Sequence, residues 1–126
     1  MIDPITTLKI FQEQPDPLSF KAGQAIFETG QPSDVMYGII DGAVDLVIDG
    51  RIVETIESGK VFGVAALIEA EPRLYAAIAK TDCKLATLDQ QRFFFAVQEL
   101  PMFALEVMQS YAARLERMWG LPSSSQ

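Results

Sequence analysis

The stretch Ile39-Ile40-Asp41-Gly42-Ala43-Val44-Asp45-Leu46-Val47-Ile48-Asp49-Gly50-Arg51-Ile52 decides how this chain is read. Val44, Leu46 and Ile48 alternate with Ala43, Asp45 and Val47, the two-residue period of a half-buried strand. Asp-Gly stands on both sides of it, at 41–42 and at 49–50. That dipeptide favours a two-residue hairpin, because a type I′ turn needs positive φ at both central residues. The two turns lie eight residues apart, which predicts three strands in a tight meander.

The same texture extends outward on both sides. Leu18–Phe20, Ala25–Phe27, Val35–Ile40, Ala43–Ile48, Ile52–Ile56, Tyr75–Ala79 and Cys83–Leu88 are short apolar runs separated by turn residues. Gly23, Gly30 and Gly59 punctuate them. Seven or eight short strands at this spacing predict a small barrel or jelly roll. Helical patterns flank the strands. Ile5 to Phe11 reads as a short helix ended by Pro15 and Pro17. Asp89 is a good N-cap for a helix over Arg92 to Leu100. Pro101 opens a second helix, where its missing N–H costs nothing, and that helix runs to about Trp119 before Gly120. The fold class is therefore mainly β with flanking helices. One domain is expected over residues 1–120, with strands over about 17–89, two helices over about 90–119 and a flexible tail at 121–126.

Composition limits the chemistry. In 126 residues there is no histidine, which excludes a His-based triad, a His-ligated metal and a His pH switch. The single Cys83 excludes an internal disulfide and a Cys-cluster zinc site; an in-facing, unpaired thiol fits a reducing cytoplasm. A net charge of −7 argues against nucleic-acid binding by this chain alone. No apolar run is long enough to span a membrane, and Met1 to Gln14 does not read as a signal peptide. The acidic series Asp41, Asp45, Asp49, Glu54 and Glu57 is spread along the meander and reads as a solvated face, with no metal site expected.

One segment breaks the strand pattern: Gly59-Lys60-Val61-Phe62-Gly63-Val64-Ala65-Ala66-Leu67-Ile68-Glu69-Ala70-Glu71-Pro72-Arg73. Gly63 precedes a run of helix formers from Ala65 to Ala70, and Pro72 halts it. Free backbone N–H groups at the start of such a helix favour an anion, and Arg73 could fold back to cap it. A plain barrel corner with a surface Arg is the alternative.

Taken in order, Phe20-x-x-Gly23, Ile26, Gly30 with Asp34, Tyr37, Ile40-x-Gly42-x-Val44, Gly59-x-x-Phe62-Gly63, Ala66-Leu67, Pro72-Arg73 and Ala79-x-Thr81-x-Cys83-x-Leu85 resemble a cyclic-nucleotide-binding domain of the catabolite-activator type. The resemblance covers about Ile5 to Met118. It implies a double-stranded β-helix, or β-roll, with a phosphate-binding cassette, a hinge helix and a lid helix. It also implies a ligand set: Gly63, Val64, Ala65, Ala66, Arg73, Leu74 and Tyr75. Arg73 matches the family's phosphate-binding Arg. Val64 stands where the family has a Glu for the ribose 2′-hydroxyl, Leu74 where it has Ser or Thr, and Tyr75 where it has a small Ala. The two lost polar contacts are worth roughly 10²- to 10⁴-fold in affinity, bringing a micromolar binder near millimolar. The ligands implied are cAMP, cGMP or another small anion, and no resident cofactor is expected.

Two residues of this set read two ways. Arg73 is either an anion ligand or the partner of Glu69 or Glu71. Tyr75 is better read as a core filler than as a hydroxyl replacing a lost donor. In the hinge helix, Phe93-Phe94-Phe95 reads as packing on most sides rather than as an exposed patch. In the last helix Leu105, Met108, Ala112, Leu115 and Trp119 form an a/d seam, with Phe103, Val107, Tyr111 and Met118 in a second stripe. One stripe is expected to face the barrel and the other a second copy, in a homodimer like those of the family. Arg114 and Arg117 suit the negative end of the helix dipole.

The activator-type regulators carry a helix-turn-helix after the lid helix, and residues 120–126 are too few for one. The expected function is a cytoplasmic regulatory sensor module. The alternatives are a ligand-free dimeric scaffold or protein-interaction domain, and the sensor half of a transcription regulator. No nucleophile–base pair is visible, so no enzyme is expected.

Overall fold

A computed structural model describes residues 16–32, 34–64 and 72–118. The helix expected over Ile5–Phe11, the cassette residues Ala65 and Ala66, and Trp119 lie outside them. Eight strands come first: β1 Leu18–Phe20, β2 Ala25–Phe27, β3 Val35–Asp41, β4 Val44–Ile48, β5 Arg51–Ile56, β6 Val61–Phe62, β7 Ala76–Ala79 and β8 Cys83–Asp89. Two helices follow, α1 Gln90–Glu99 and α2 Pro101–Met118. The strands form two antiparallel four-stranded sheets, ordered β1-β8-β3-β6 and β2-β7-β4-β5. This is the expected β-roll. The seven runs recognised in the sequence are all strands. β6 is the eighth, two residues long inside the cassette segment, too short to show a period.

The expected meander is half right. Asp49 (φ 51°) and Gly50 (φ 76°) both take positive φ, and β4 pairs with β5 across them, with Ile48 opposite Arg51. Asp41-Gly42 is not a hairpin. β3 and β4 lie in different sheets, and of the pair only Gly42 has positive φ, at 95°. The chain turns a corner there from one sheet to the other. The corner is pinned to the β7–β8 turn: Ala43 N–H donates to Thr81 Oγ1 at 3.1 Å, and Lys80 N–H donates to Ala43 O at 2.9 Å. The Cys83 thiol is buried there and donates to Ala43 O, a structural role.

Alternation along the first sheet separates two cores. Ile39, Phe62, Cys83 and Leu85 point between the sheets and pack with Phe27, Val44, Leu46 and Ile56. Met36, Val61, Ala86 and Leu88 point the other way and pack with Phe93, Ala96, Phe103 and Val107 of the helices. Asp89 caps α1, its Oδ1 accepting from Arg92 N–H at 2.9 Å. The helix begins at Gln90, two residues before the expected start. Pro101 opens α2 as expected.

Two sequence expectations are corrected here. Phe93 is buried, but Phe94 and Phe95 are 55% and 53% exposed, because one side of a short helix reaches the roll and the other does not. The acidic series is not all solvated. Asp45 is buried and accepts from Thr55 Oγ1 at 2.6 Å, and the Glu54 side chain is buried against α2. The register sets Asp45 opposite Thr55 and Glu54 opposite Leu46, so the two acids lie on opposite faces of the β4–β5 pair, Asp45 bonded to Thr55 and Glu54 facing Arg114 of α2. Among the described residues, no helix is long and apolar enough to cross a membrane.

Candidate functional site

The site is built where β6 ends. Gly63 takes φ 84°, which turns its carbonyl toward Arg73. A Cβ at this position would come within 2.7 Å of Arg73 Nη1, so the close approach needs glycine. The Arg73 backbone is fixed as well. Its N–H donates to Gln31 O at 2.9 Å, and its carbonyl accepts from Gly30 N–H at 2.7 Å.

The Arg73 side chain is buried, with 6% exposed. Nη1 donates to Gly63 O at 3.0 Å and Nη2 donates to Val35 O. The guanidinium lies over the Phe27 ring, 4.2 Å from its centroid, and 5.8 Å from that of Tyr37. Phe27, Tyr37, Phe62 and Tyr75 form an aromatic nest around it, with Tyr37 and Phe62 stacked at 5.3 Å. That stack follows from the register, which sets Tyr37 opposite Phe62. Two carbonyl dipoles and a ring face hold this cation, and no described carboxylate neutralises it. Glu69 and Glu71, the alternative partners, lie outside the described residues. A buried charge balanced only by dipoles favours an anion nearby.

The other cassette positions depart from a polar pocket. Val64 is buried and packs with Met36, Phe103 and Val107, on the helix side of the sheet. Leu74 is 73% exposed. Tyr75 turns inward, against Phe27 at 5.5 Å between centroids. Burial pushes its hydroxyl up to about 12, and Tyr111 adds to this; Arg114, Arg73 and a backbone hydrogen bond from Gly63 pull the other way. Tyr37 is also raised by burial, against Arg73 and with Asp34. A raised tyrosine stabilises the fold below pH 10.0, and for Tyr75 that contribution is lost as pH rises through about 12.

Helix α2 supplies the rest. Tyr111 Oη accepts from Val64 N–H at 3.1 Å. Arg114, one turn on, is buried. Its Nη2 donates to Val61 O at 2.8 Å, its guanidinium lies 4.5 Å from the Tyr111 centroid, and its Nε stands 3.5 Å from Glu54 Oε2. That last contact is an ion pair only, since Nε has no hydrogen-bond partner. The helix-dipole reading of Arg114 missed this. The signal was present in the spacing: Phe103, Val107, Tyr111 and Arg114 continue one buried stripe. Beside them lies a cavity of about 200 Å³, lined by Leu46, Ile48 and Val53 of β4–β5, by Tyr75, and by Tyr111 and Leu115 of α2. Arg73 does not line this cavity.

The seam residues Leu105, Met108 and Leu115 are 47%, 58% and 47% exposed, and Ala112 is exposed too, while Phe103 and Val107 are buried. Among the described side chains the two stripes are sorted, one onto the roll and one outward.

A profile of the cyclic nucleotide-binding domain matches residues 17–99, about two-thirds of the chain. A cAMP-dependent protein kinase regulatory subunit of Eremothecium gossypii is 41% identical over 71 residues, covering 56% of this chain and 16% of that protein. The Aspergillus niger subunit is 34% identical over 80 residues, covering 62% and 20%. The chain thus spans at most about a fifth of these relatives. Among solved structures, the c-di-GMP responsive regulator CLP of Xanthomonas campestris superposes with a TM-score of 0.80 at 20% identity, over 92% of this chain and 61% of that one. The Thermus thermophilus catabolite activator protein gives 0.75 at 22% identity, over 89% and 55%. A PKAR CBD2 domain bound to Sp-2Cl-cAMPS gives 0.68 at 21% identity, over 98% and 91%. The profile match over residues 17–99, with the β-roll in agreement, shows that this chain belongs to the cyclic nucleotide-binding domain family.

Proposed function

We propose that this chain is a cytoplasmic regulatory sensor module, not an enzyme, whose pocket takes a cyclic nucleotide or a similar small anion weakly. The observation that carries the reading is Arg73, buried in register beneath Gly63 in a roll that relatives use for cAMP. The weakness follows from Val64 and Leu74. Neither supplies the polar group the family has there, and the Val64 side chain packs away among the helix residues. Signal leaves through α2, because Tyr111 and Arg114 tie that helix to the cassette and to β5–β6. The outward stripe Leu105, Met108, Ala112 and Leu115 carries a homodimer.

Calorimetric titration with cAMP and cGMP tests the ligand reading. The wild-type chain is expected to bind near millimolar, roughly 10²- to 10⁴-fold weaker than a micromolar family member. Arg73→Ala is expected to abolish the heat; unchanged affinity in Arg73→Ala removes this binding mode. For the dimer, sedimentation at about 100 μM is expected to give twice the chain mass at these apolar exposures, and a monomer there contradicts it.

A further inference from the structure

The β5–β6 turn and one flank of α2 enclose a cleft of about 360 Å³. Ser110 and Ala113 line it from the helix, on the opposite side of Arg114 from Tyr111 and Leu115, which face the smaller apolar cavity. Only Glu54 and Arg114 border both, and Arg73 borders neither. The cleft falls within the size range of small-molecule sites, about 300–1,000 Å³. Its walls are charged. Glu54 and Arg114 form the floor, each side chain 9% exposed. Glu57 and Lys60 stand exposed at the rim, and Ser110 brings a hydroxyl. The rim is held by β3: Gly59 N–H donates to Ile39 O at 2.8 Å, and Ile39 N–H donates to Lys60 O at 2.9 Å. The floor pair is slack. Arg114 Nε stands 3.5 Å from Glu54 Oε2 and has no hydrogen-bond partner, whereas a charge-assisted bond measures about 2.7–2.9 Å. Buried polar atoms in folded chains nearly always have a partner.

We propose that this cleft is a second ligand site, separate from Arg73, and that it takes a small zwitterion, a free α-amino acid. The charges select the class. Two carboxylates and two cations line the cleft, so its lining carries no net charge. A phosphate or a cyclic nucleotide would meet both Glu54 and Glu57, and a polyamine both Lys60 and Arg114. An apolar ligand would cover these charges without pairing them. A molecule with one carboxylate and one ammonium matches both signs. Lys60 Nζ and the Ser110 hydroxyl donate to its carboxylate, its ammonium donates to Glu57, and the floor pair presents one charge to each end. The lining joins β5 and its turn to α2, so an occupant clamps the helix to the roll on the flank away from Tyr75. A ligand that binds only the folded, docked form stabilises it by mass action.

The test follows the backbone amides of the full chain by NMR with L-alanine, L-serine and L-leucine, each to about 10 mM, beside acetate and ethylammonium as half-ligands. At least one amino acid is expected to give saturable shifts at Glu57, Lys60 and Ser110, and to bind at least about tenfold tighter than either half-ligand. Lys60→Gln, a surface change that leaves the fold intact, is expected to weaken that binding about tenfold, the worth of one charge-assisted hydrogen bond. Arg73→Ala is expected to leave it unchanged, so a failure of cAMP to bind does not touch this result. Acetate binding as tightly as the amino acids would make the cleft an anion site and overturn the proposal. No saturable shift at these amides with any of the three, or an affinity that Lys60→Gln does not alter, also overturns it. Loss of amino-acid binding in a folded Arg73→Ala would place the ligand elsewhere and does the same.

Discussion

Arg114→Ala is expected to lower the unfolding free energy by about 3–5 kcal/mol, the cost of breaking a buried ion pair by removing one partner. Three contacts go at once: the Glu54 carboxylate at 3.5 Å, the Val61 carbonyl at 2.8 Å and the Tyr111 ring face. Both side chains of the pair are 9% exposed, so water does not replace what is lost. In a domain of this size the change corresponds to roughly 10–20 °C in Tm. Removing Arg114 costs its hydrogen bond to Val61 and its contact with the Tyr111 ring as well as the pair. The double change Glu54→Leu/Arg114→Met is expected to recover the pair's part of that loss, since apolar replacement of a buried pair is often neutral. Urea unfolding of the three proteins checks both statements. A loss below about 1 kcal/mol in Arg114→Ala, the value of an exposed pair, would show that α2 is not anchored there.

Gly42→Ala is the second large effect. Gly42 has φ 95°, and an added Cβ would stand 2.4 Å from Asp82 O, 2.9 Å from Thr81 Oγ1 and 3.0 Å from Cys83 Cα. Two of these are backbone atoms of the turn into β8, held by the Ala43 and Lys80 hydrogen bonds. They cannot swing aside as a side-chain tip can. Strained φ costs about 1–3 kcal/mol and overpacking about 1–3 more, so roughly 3–5 kcal/mol is expected in total. Gly23 is the control: its φ is 87°, and nothing lies within 4 Å of its Cβ position. Gly23→Ala should cost only the strained φ, about 1–3 kcal/mol. Equal losses at the two sites would mean that the corner is not packed as described.

Gly42 also shows how far the sequence could be read. Asp41-Gly42 and Asp49-Gly50 are the same dipeptide, and local chemistry cannot separate them. Which one makes a hairpin depends on what lies beneath, and Gly42 meets the β7–β8 turn some 40 positions along the chain. β3, β7 and β8 were legible because one face of each lies in a core and burial roughly alternates along them, and β1, β2, β4 and β5 because apolar runs stand between turn residues. β6 was hidden by its length. The glycine and arginine of the cassette were legible through their spacing. Their pairing was not, because Arg73 meets carbonyls, which every residue carries. Tyr75 was read as a core filler, and its burial agrees with that. The Tyr111 hydroxyl at the Val64 N–H depends on where α2 lies across the roll. The charged face expected at Glu54 likewise assumed a free strand surface, where α2 supplies Arg114.

Gly63 and Arg73 are proposed here as an anion site whose occupancy is read out by α2. The most direct measurement is the cAMP titration followed at the backbone amides by NMR to millimolar concentration. The expected result is saturable shifts at Gly63 and Val64, with accompanying shifts at Tyr111 and Arg114 on α2. Shifts confined to other surfaces, or none at all while the fold stays intact, would contradict it.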